Sequence, residues 1–185
     1  MILLGIIAIL IIFYFISVYN SLVKSKNWVD ESWSQIDVQL KRRYDLIPNL
    51  VNTVKGYADY EKETFEQIVQ ARNQLLAMPQ TEENREDIMK QNDALTNSLK
   101  SIFSLHEAYP ELKANENFLR LQEELTSTEN KISYARQLYN STVAGYNTKI
   151  ALFPTCIVAS MFGFRKKELF NVTSSVEREA VKVEF

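Results

Sequence analysis

Few side chains in this sequence are of the types that carry out catalysis. The chain has one His, His106, and one Cys, Cys156. A Cys–His pair can act as nucleophile and base, but a lone Cys in an apolar run is more often a small buried hydrophobe. A di-iron bundle needs Glu-x-x-His pairs, and no Glu lies three residues before His106. Because no phosphate-binding glycine motif occurs either, we predict no catalytic residues, no cofactor and no metal site.

Polar side chains are concentrated in two stretches that otherwise carry apolar residues at helical spacing. The simpler interpretation is a hydrogen-bonded layer that fixes the register of packed helices, because buried polar groups must be paired. The alternatives are a surface that binds a partner, and an enzyme with an unfamiliar site around Arg42, Arg43 and Asp45. The candidate residues are Arg42, Arg43, Asp45, Asn49, Asn130 and Arg136.

The element that must position these residues begins with an uncharged N-terminal segment, residues 1–23. A helix of this length spans the roughly 30 Å hydrocarbon core of a bilayer. Tyr14 and Tyr19 fall toward its C-terminal side, where an aromatic belt is expected. A cleaved signal peptide would need a basic start and an Ala-x-Ala-like site, and neither is present. The segment therefore predicts an uncleaved transmembrane anchor through which the protein contacts the lipid bilayer.

Charges that flank the anchor predict its orientation. Lys24 and Lys26 follow the apolar segment, and Lys41, Arg42 and Arg43 come soon after. Because basic residues are retained on the cytoplasmic side, we expect a single-pass protein of the cell membrane, with the N-terminus outside and the main domain in the cytoplasm.

The amino-acid composition excludes several kinds of partner and fold. The net charge is −2, so no nucleic-acid partner is expected. Only four Gly and four Pro occur, which favours long helices with few turns. A single Cys excludes an internal disulfide framework and suits a reducing compartment.

Residues 24–154 are predicted to form an antiparallel, up-and-down four-helix bundle with long helices. Pro48 disfavours a helical conformation at Ile47, so the first helix is expected to end there and the second to run to about Met78. The alternative at Pro48 is one continuous kinked helix.

The last two helices have clearer signals. A third is expected over roughly residues 82–107. In the fourth, apolar and small residues from Phe118 to Phe153 keep a nearly unbroken three-and-four spacing, as in a coiled coil. Asn115 is a candidate N-cap of this helix, and Pro154 ends it.

The C-terminal region, residues 155–185, differs in kind. A short apolar run is followed at once by three basic residues, and it is too short to span a bilayer. If four helices alternate in direction, this run returns to the membrane, where its cations would face anionic lipid; the alternative is packing against the bundle. Residues 171–185 are expected to be a loosely ordered tail or a short edge element. The candidate lipid contacts are Phe162, Phe164, Arg165, Lys166 and Lys167.

Long motifs along nearly the whole chain resemble those of LemA family proteins. The longest is the continuous stretch from Trp33 to Tyr57, and shorter ones begin at Tyr109, Thr128 and Ala135 and end with Phe162-Gly-Phe164. The resemblance implies a bacterial single-pass membrane protein with a helical bundle and no established catalytic residues. It also carries family-level associations with cell-envelope stress and membrane proteases.

These observations together predict a non-enzymatic interaction scaffold of the bacterial cell envelope. Its bundle would face the cytoplasm and bind other membrane or envelope proteins. The alternative from another class is a self-assembling, membrane-remodelling protein, which would form homo-oligomers.

Overall fold

The computed structural model describes residues 2–57 and 62–170, apart from the side chain of His106. Within that part of the chain it contains six helices and no strand, which confirms the all-α class. The predicted tail, residues 171–185, lies outside the described residues. The helices are α1 (Ile2–Lys55), α2 (Lys62–Ala77), α3 (Arg85–Ala108), α4 (Pro110–Lys113), α5 (Glu116–Ala151) and α6 (Thr155–Met161).

The helices are distributed over two compact units. Trp33–Gln137 form the middle unit, and the terminal unit consists of Met1–Ser32 with Leu138–Phe185. Helices α1 and α5 contribute residues to both units, since each continues through a unit boundary. The domain boundaries predicted after residues 23 and 154 stay predictions, as does the four-helix topology.

The N-terminal part of α1 has the properties expected of a membrane anchor. Among the described residues, α1 is the one helix long and apolar enough to cross a membrane, and none of its most apolar stretch is buried. The large apolar side chains from Ile2 to Phe13 are all exposed. Apolar exposure on all sides of a helix is stable in lipid and unfavourable in water.

The predicted helix end at Pro48 is wrong, because Pro48 lies inside α1 and the helix continues to Lys55. The second predicted helix is correspondingly shorter, since α2 begins only at Lys62. Proline has no N–H to donate to the carbonyl four residues earlier, which here belongs to Tyr44. The Nε of Arg72 donates to that carbonyl at 3.0 Å instead. A side chain from α2 therefore satisfies the backbone group that Pro48 leaves unpaired.

The predicted boundaries of the fourth long helix are confirmed. Helix α5 starts at Glu116, and the Oδ1 of Asn115 accepts a hydrogen bond from the backbone N–H of Phe118 at 2.9 Å. The helix ends at Ala151, three residues before Pro154. Asn115 is thus an N-cap that satisfies one of the free donors of the first turn.

The core of the middle unit is built from the apolar positions that recur at helical spacing. Helix α1 buries apolar residues three and four positions apart, and α2, α3 and α5 each contribute a matching row. Fully buried members are Ile36, Leu40, Ile47, Leu50, Ile68, Ile88, Ile102, Phe118 and Ile132.

Candidate functional site

Arg43 is the centre of a buried polar layer in the middle unit. Only 1% of the residue is exposed. One guanidinium nitrogen donates to the Oγ1 of Thr96 at 2.9 Å, and another forms an ion pair with Glu129. Burial, reinforced by the nearby positive charge of Arg136, lowers the pKa of Arg43 to about 10. The side chain is therefore charged at neutral pH and unavailable to solvent.

Further pairs extend this layer. Arg136, on α5, forms an ion pair with Asp93 on α3. The Tyr44 hydroxyl lies 3.0 Å from the Oδ1 and 2.7 Å from the Nδ2 of Asn92, and burial raises the pKa of this tyrosine. Because each pair joins two helices at one height, the layer fixes how the helices are aligned along their axes.

Sequence reasoning identified Arg43 and Arg136 but not their partners on α3. Asn92, Asp93 and Thr96 lie within five residues of one another on that helix. Their spacing, which places polar side chains within about one helical turn, was the available signal.

The other four polar candidates are solvent-exposed and do not belong to the buried layer. Arg42 forms an exposed ion pair with Glu124 of α5. Asp45, Asn49 and Asn130 are exposed as well. The single predicted layer is therefore corrected: Arg43 is buried and Arg136 half-buried, whereas the remaining four lie on the surface.

Two of these exposed residues line an open groove between α1 and α5 within the middle unit, which we call the α1–α5 groove. Its volume is about 550 Å³. It combines two arginines, a carboxylate, short polar side chains and two leucines, but no His or Cys. The lining residues are Arg42, Leu46, Asn49, Thr53, Asn117, Arg120, Leu121 and Glu124.

The residues considered for catalysis are not assembled into a described site. Cys156 is a free, half-buried thiol on α6, and the side chain of His106 lies outside the described part. Within that part, no group of three or more His, Cys, Asp or Glu side chains could hold a metal ion.

In the terminal unit, Lys149 binds the end of the apolar segment of α1. Its ammonium donates to the backbone carbonyl of Ser21 at 3.0 Å and to the Oγ of Ser25 at 2.9 Å. A charged group is thus fixed beside Ser21, where the uncharged sequence is about to end.

Two asparagines of α5 hold the chain after α6. The side-chain amide of Asn147 donates to the carbonyl of Lys167 at 2.8 Å and accepts from its N–H at 2.9 Å. Asn140 makes the same pair of bonds with Phe170, both at 2.8 Å. The ring of Phe170 also stacks on that of Tyr139, with centroids 4.5 Å apart. The chain after α6 is therefore attached to α5 at two defined points.

The segment predicted to contact lipid lies against α1 in the same unit. The ring centroids of Phe162 and Tyr19 are 4.7 Å apart, and those of Phe164 and Tyr19 are 6.0 Å apart. Phe162 belongs to a set of exposed apolar side chains on and beside α6, which we call the α6 face. It is formed by Leu152, Phe153, Ile157, Met161 and Phe162.

The three basic residues of this segment do not share one environment. Arg165 and Lys166 are exposed. Lys167 is only 8% exposed, and its ammonium lies 3.6 Å from the Asp30 carboxylate. The prediction that Lys167 faces lipid is therefore corrected, because Asn147 draws its backbone onto α5 and Asp30 neutralises its charge. Lipid contact by the other four residues stays a prediction.

Comparison with known proteins gives a consistent result over most of the chain. Residues 32–185 match the model of the LemA family. The protein LemA of Metamycoplasma hominis is 30% identical over 173 residues, which cover 90% of this chain and 75% of that protein. The magnetosome protein MamQ of Magnetospirillum gryphiswaldense is 23% identical over 175 residues, covering 83% of this chain and 64% of that protein. The chain thus spans less than two thirds of the magnetosome protein.

Proposed function

Because the chain belongs to the LemA family, we propose that this membrane-associated helical protein is a non-enzymatic scaffold that binds other membrane or envelope proteins. The observation that carries the proposal is the α1–α5 groove, an exposed surface that combines charged and apolar side chains on two long helices. Rigid helices present such a surface without rearrangement, which limits the entropy lost on binding.

The charges of the groove favour a partner segment that contains carboxylates. Arg42 and Glu124 are both partly exposed, and an exposed ion pair contributes only about 0–1 kcal/mol. Arg42 can therefore exchange Glu124 for a carboxylate of a partner at little cost. Arg120 supplies a second cation in the same groove, and leucines beside it offer apolar contact.

Site-specific photo-crosslinking in intact cells tests this proposal. A benzophenone amino acid at Asn117, in the groove, should crosslink to a discrete set of other membrane proteins. The matched control is the same amino acid at Asn97, an exposed position of α3 outside the groove. Reversal of the charge of Arg120 should weaken the crosslinks from position 117. Identical products from both positions, insensitive to Arg120, would contradict a groove-specific scaffold.

We place the bundle on the cytoplasmic side of the cell membrane, on the basis of Lys24 and Lys26 after the apolar segment. In a Cys156→Ser background, Ser98→Cys should resist a membrane-impermeant thiol reagent added to intact cells and react after lysis. Labelling of intact cells would reverse the orientation. The family-level association with envelope stress and membrane proteases suggests which crosslinked proteins to identify first.

The second candidate function, self-assembly that remodels membranes, is favoured by the similarity to a magnetosome protein over 83% of this chain. The same crosslinking experiment discriminates the two. Products at twice the mass of the chain, formed from groove positions without other proteins, would favour self-assembly over the scaffold.

A further inference from the structure

We infer that the α6 face and the cations that follow it form a second membrane contact, seated in the anionic headgroup region of the bilayer that holds α1. The inference does not depend on the scaffold function. It concerns the terminal unit alone and rests on three observations: the exposure of the face, its attachment at Tyr19, and the location of Lys149.

The α6 face is too apolar to be an ordinary water-exposed surface. Phe153 is 80% exposed, more than any other large apolar side chain outside α1 in the described chain, and Met161 and Phe162 are more than half exposed. A contiguous exposed apolar surface marks an interaction with protein or lipid.

The location of the face relative to the anchor favours lipid. Phe162 and Phe164 pack on Tyr19, and Lys149 places an ammonium beside Ser21. Because a charged group avoids the hydrocarbon core, that core must end before Ser21. From Ile2 to Asn20 the helix rises about 27 Å, close to the roughly 30 Å core. Tyr19 is then at the boundary, and the α6 face lies at the same height.

The charge beside the face identifies the kind of lipid. Arg165 and Lys166 are exposed and directly follow the apolar residues. Aromatic and apolar side chains flanked by cations are typical of segments that lie in the interface of anionic membranes. Lys167 does not contribute, because its ammonium lies by Asp30.

Depth-dependent quenching in nanodiscs tests this contact with the full-length chain. In a Cys156→Ser background, an NBD fluorophore is attached to Phe153→Cys or, independently, to Met161→Cys. The control is Ser141→Cys, an exposed position of α5 about two helical turns from Lys149. Nitroxide lipids should quench positions 153 and 161 strongly and position 141 weakly. Quenching at 153 and 161 no greater than at 141 would overturn the inference and assign the face to a protein partner or a second copy.

A comparison of anionic with zwitterionic nitroxide lipids tests whether the contact prefers anionic lipid. At low salt, nitroxide-labelled phosphatidylglycerol should be enriched near position 153 over labelled phosphatidylcholine, by roughly fivefold for each cation in contact. Arg165→Ser/Lys166→Ser should reduce this ratio toward one, whereas Lys167→Ser should leave the ratio unchanged. Equal quenching by both lipids in the unmodified sequence, or a ratio unaffected by the double substitution, would refute recognition of anionic lipid.

Discussion

The hydrogen bond from Arg72 to the Tyr44 carbonyl can be tested by a double-mutant cycle. A proline inside a helix leaves the carbonyl four residues earlier without its usual donor, and Arg72 replaces that donor at 3.0 Å. Pro48→Ala restores the backbone N–H. We therefore expect the contribution of Arg72 to the free energy of unfolding to depend on which residue occupies position 48.

The magnitude follows from the local environment. Tyr44 is buried, so Arg72→Met leaves a carbonyl that neither water nor backbone can satisfy. A lost hydrogen bond of this kind costs about 1–3 kcal/mol. In the Pro48→Ala background the helix supplies the donor, and Arg72→Met should cost about 0.5 kcal/mol, the residual value of side-chain packing. The expected coupling energy is the difference between the two costs, about 0.5–2.5 kcal/mol.

Urea unfolding of the full-length chain in detergent, followed by circular dichroism, measures the four free energies. With a slope of about 2 kcal/mol per molar urea, the coupling corresponds to a midpoint difference of roughly 0.25–1.25 M. Arg72 also donates to its neighbour Asn73, but this bond is lost in both backgrounds and cancels. Gln74→Met, an exposed substitution on α2, is the control and should show no coupling to position 48. An equal cost of Arg72→Met in both backgrounds would refute the compensation.

Three further outcomes are expected. Asn92→Ala should lower the free energy of unfolding by about 2 kcal/mol in the same urea assay, because it leaves the buried Tyr44 hydroxyl without its partner; an unchanged midpoint would argue against the pairing. Hydrogen bonds from its own backbone N–H and from a nearby threonine hydroxyl lower the pKa of Glu83, so its stabilising effect should be present above the unfolded pKa and lost as pH falls through the folded one. The stability difference from Glu83→Gln should accordingly vanish in acid, and a difference that persists there would contradict this assignment. Lys149→Met should speed amide exchange around Ser21, measured by mass spectrometry, whereas unchanged exchange would separate Lys149 from the stability of that contact.

Features set by local sequence were predictable. The apolar anchor needs only its own composition, and the start of α5 needs only the side chain of Asn115 and the donors of the next turn. The apolar seam of α1 is likewise read from spacing, since residues three and four apart share a helix face. These features depend on contacts within a few residues of each other.

Features set by distant contacts were not predictable from the same patterns. The carbonyl that Pro48 leaves without its donor is satisfied by Arg72, which belongs to another helix. The burial of Lys167, in a basic run that otherwise faces solvent, depends on Asp30 and Asn147. The polar candidates divided for the same reason: Arg42 and Arg43 are neighbours in sequence, but one helical position, about 100°, separates the surface from the core.

The two asparagines that hold the chain after α6 fix the length of the segment between their attachment points. Asn140 and Asn147 are seven residues apart, so their amides are separated by about 10.5 Å along α5. Lys167 and Phe170 are three residues apart, and an extended chain covers about the same distance, at roughly 3.3–3.6 Å per residue. The match between helical and extended rise is what allows both amides to bind at once.

Because these hydrogen bonds of each asparagine go to main-chain N–H and C=O groups, the two attachments constrain the length of the segment rather than its sequence. Substitutions at the two positions between Lys167 and Phe170 leave every one of these four bonds in place. Insertion or deletion of a single residue there shifts the second attachment by more than 3 Å, beyond the reach of an amide. Variants that keep both attachments can therefore differ in the side chains of this segment but not in its length.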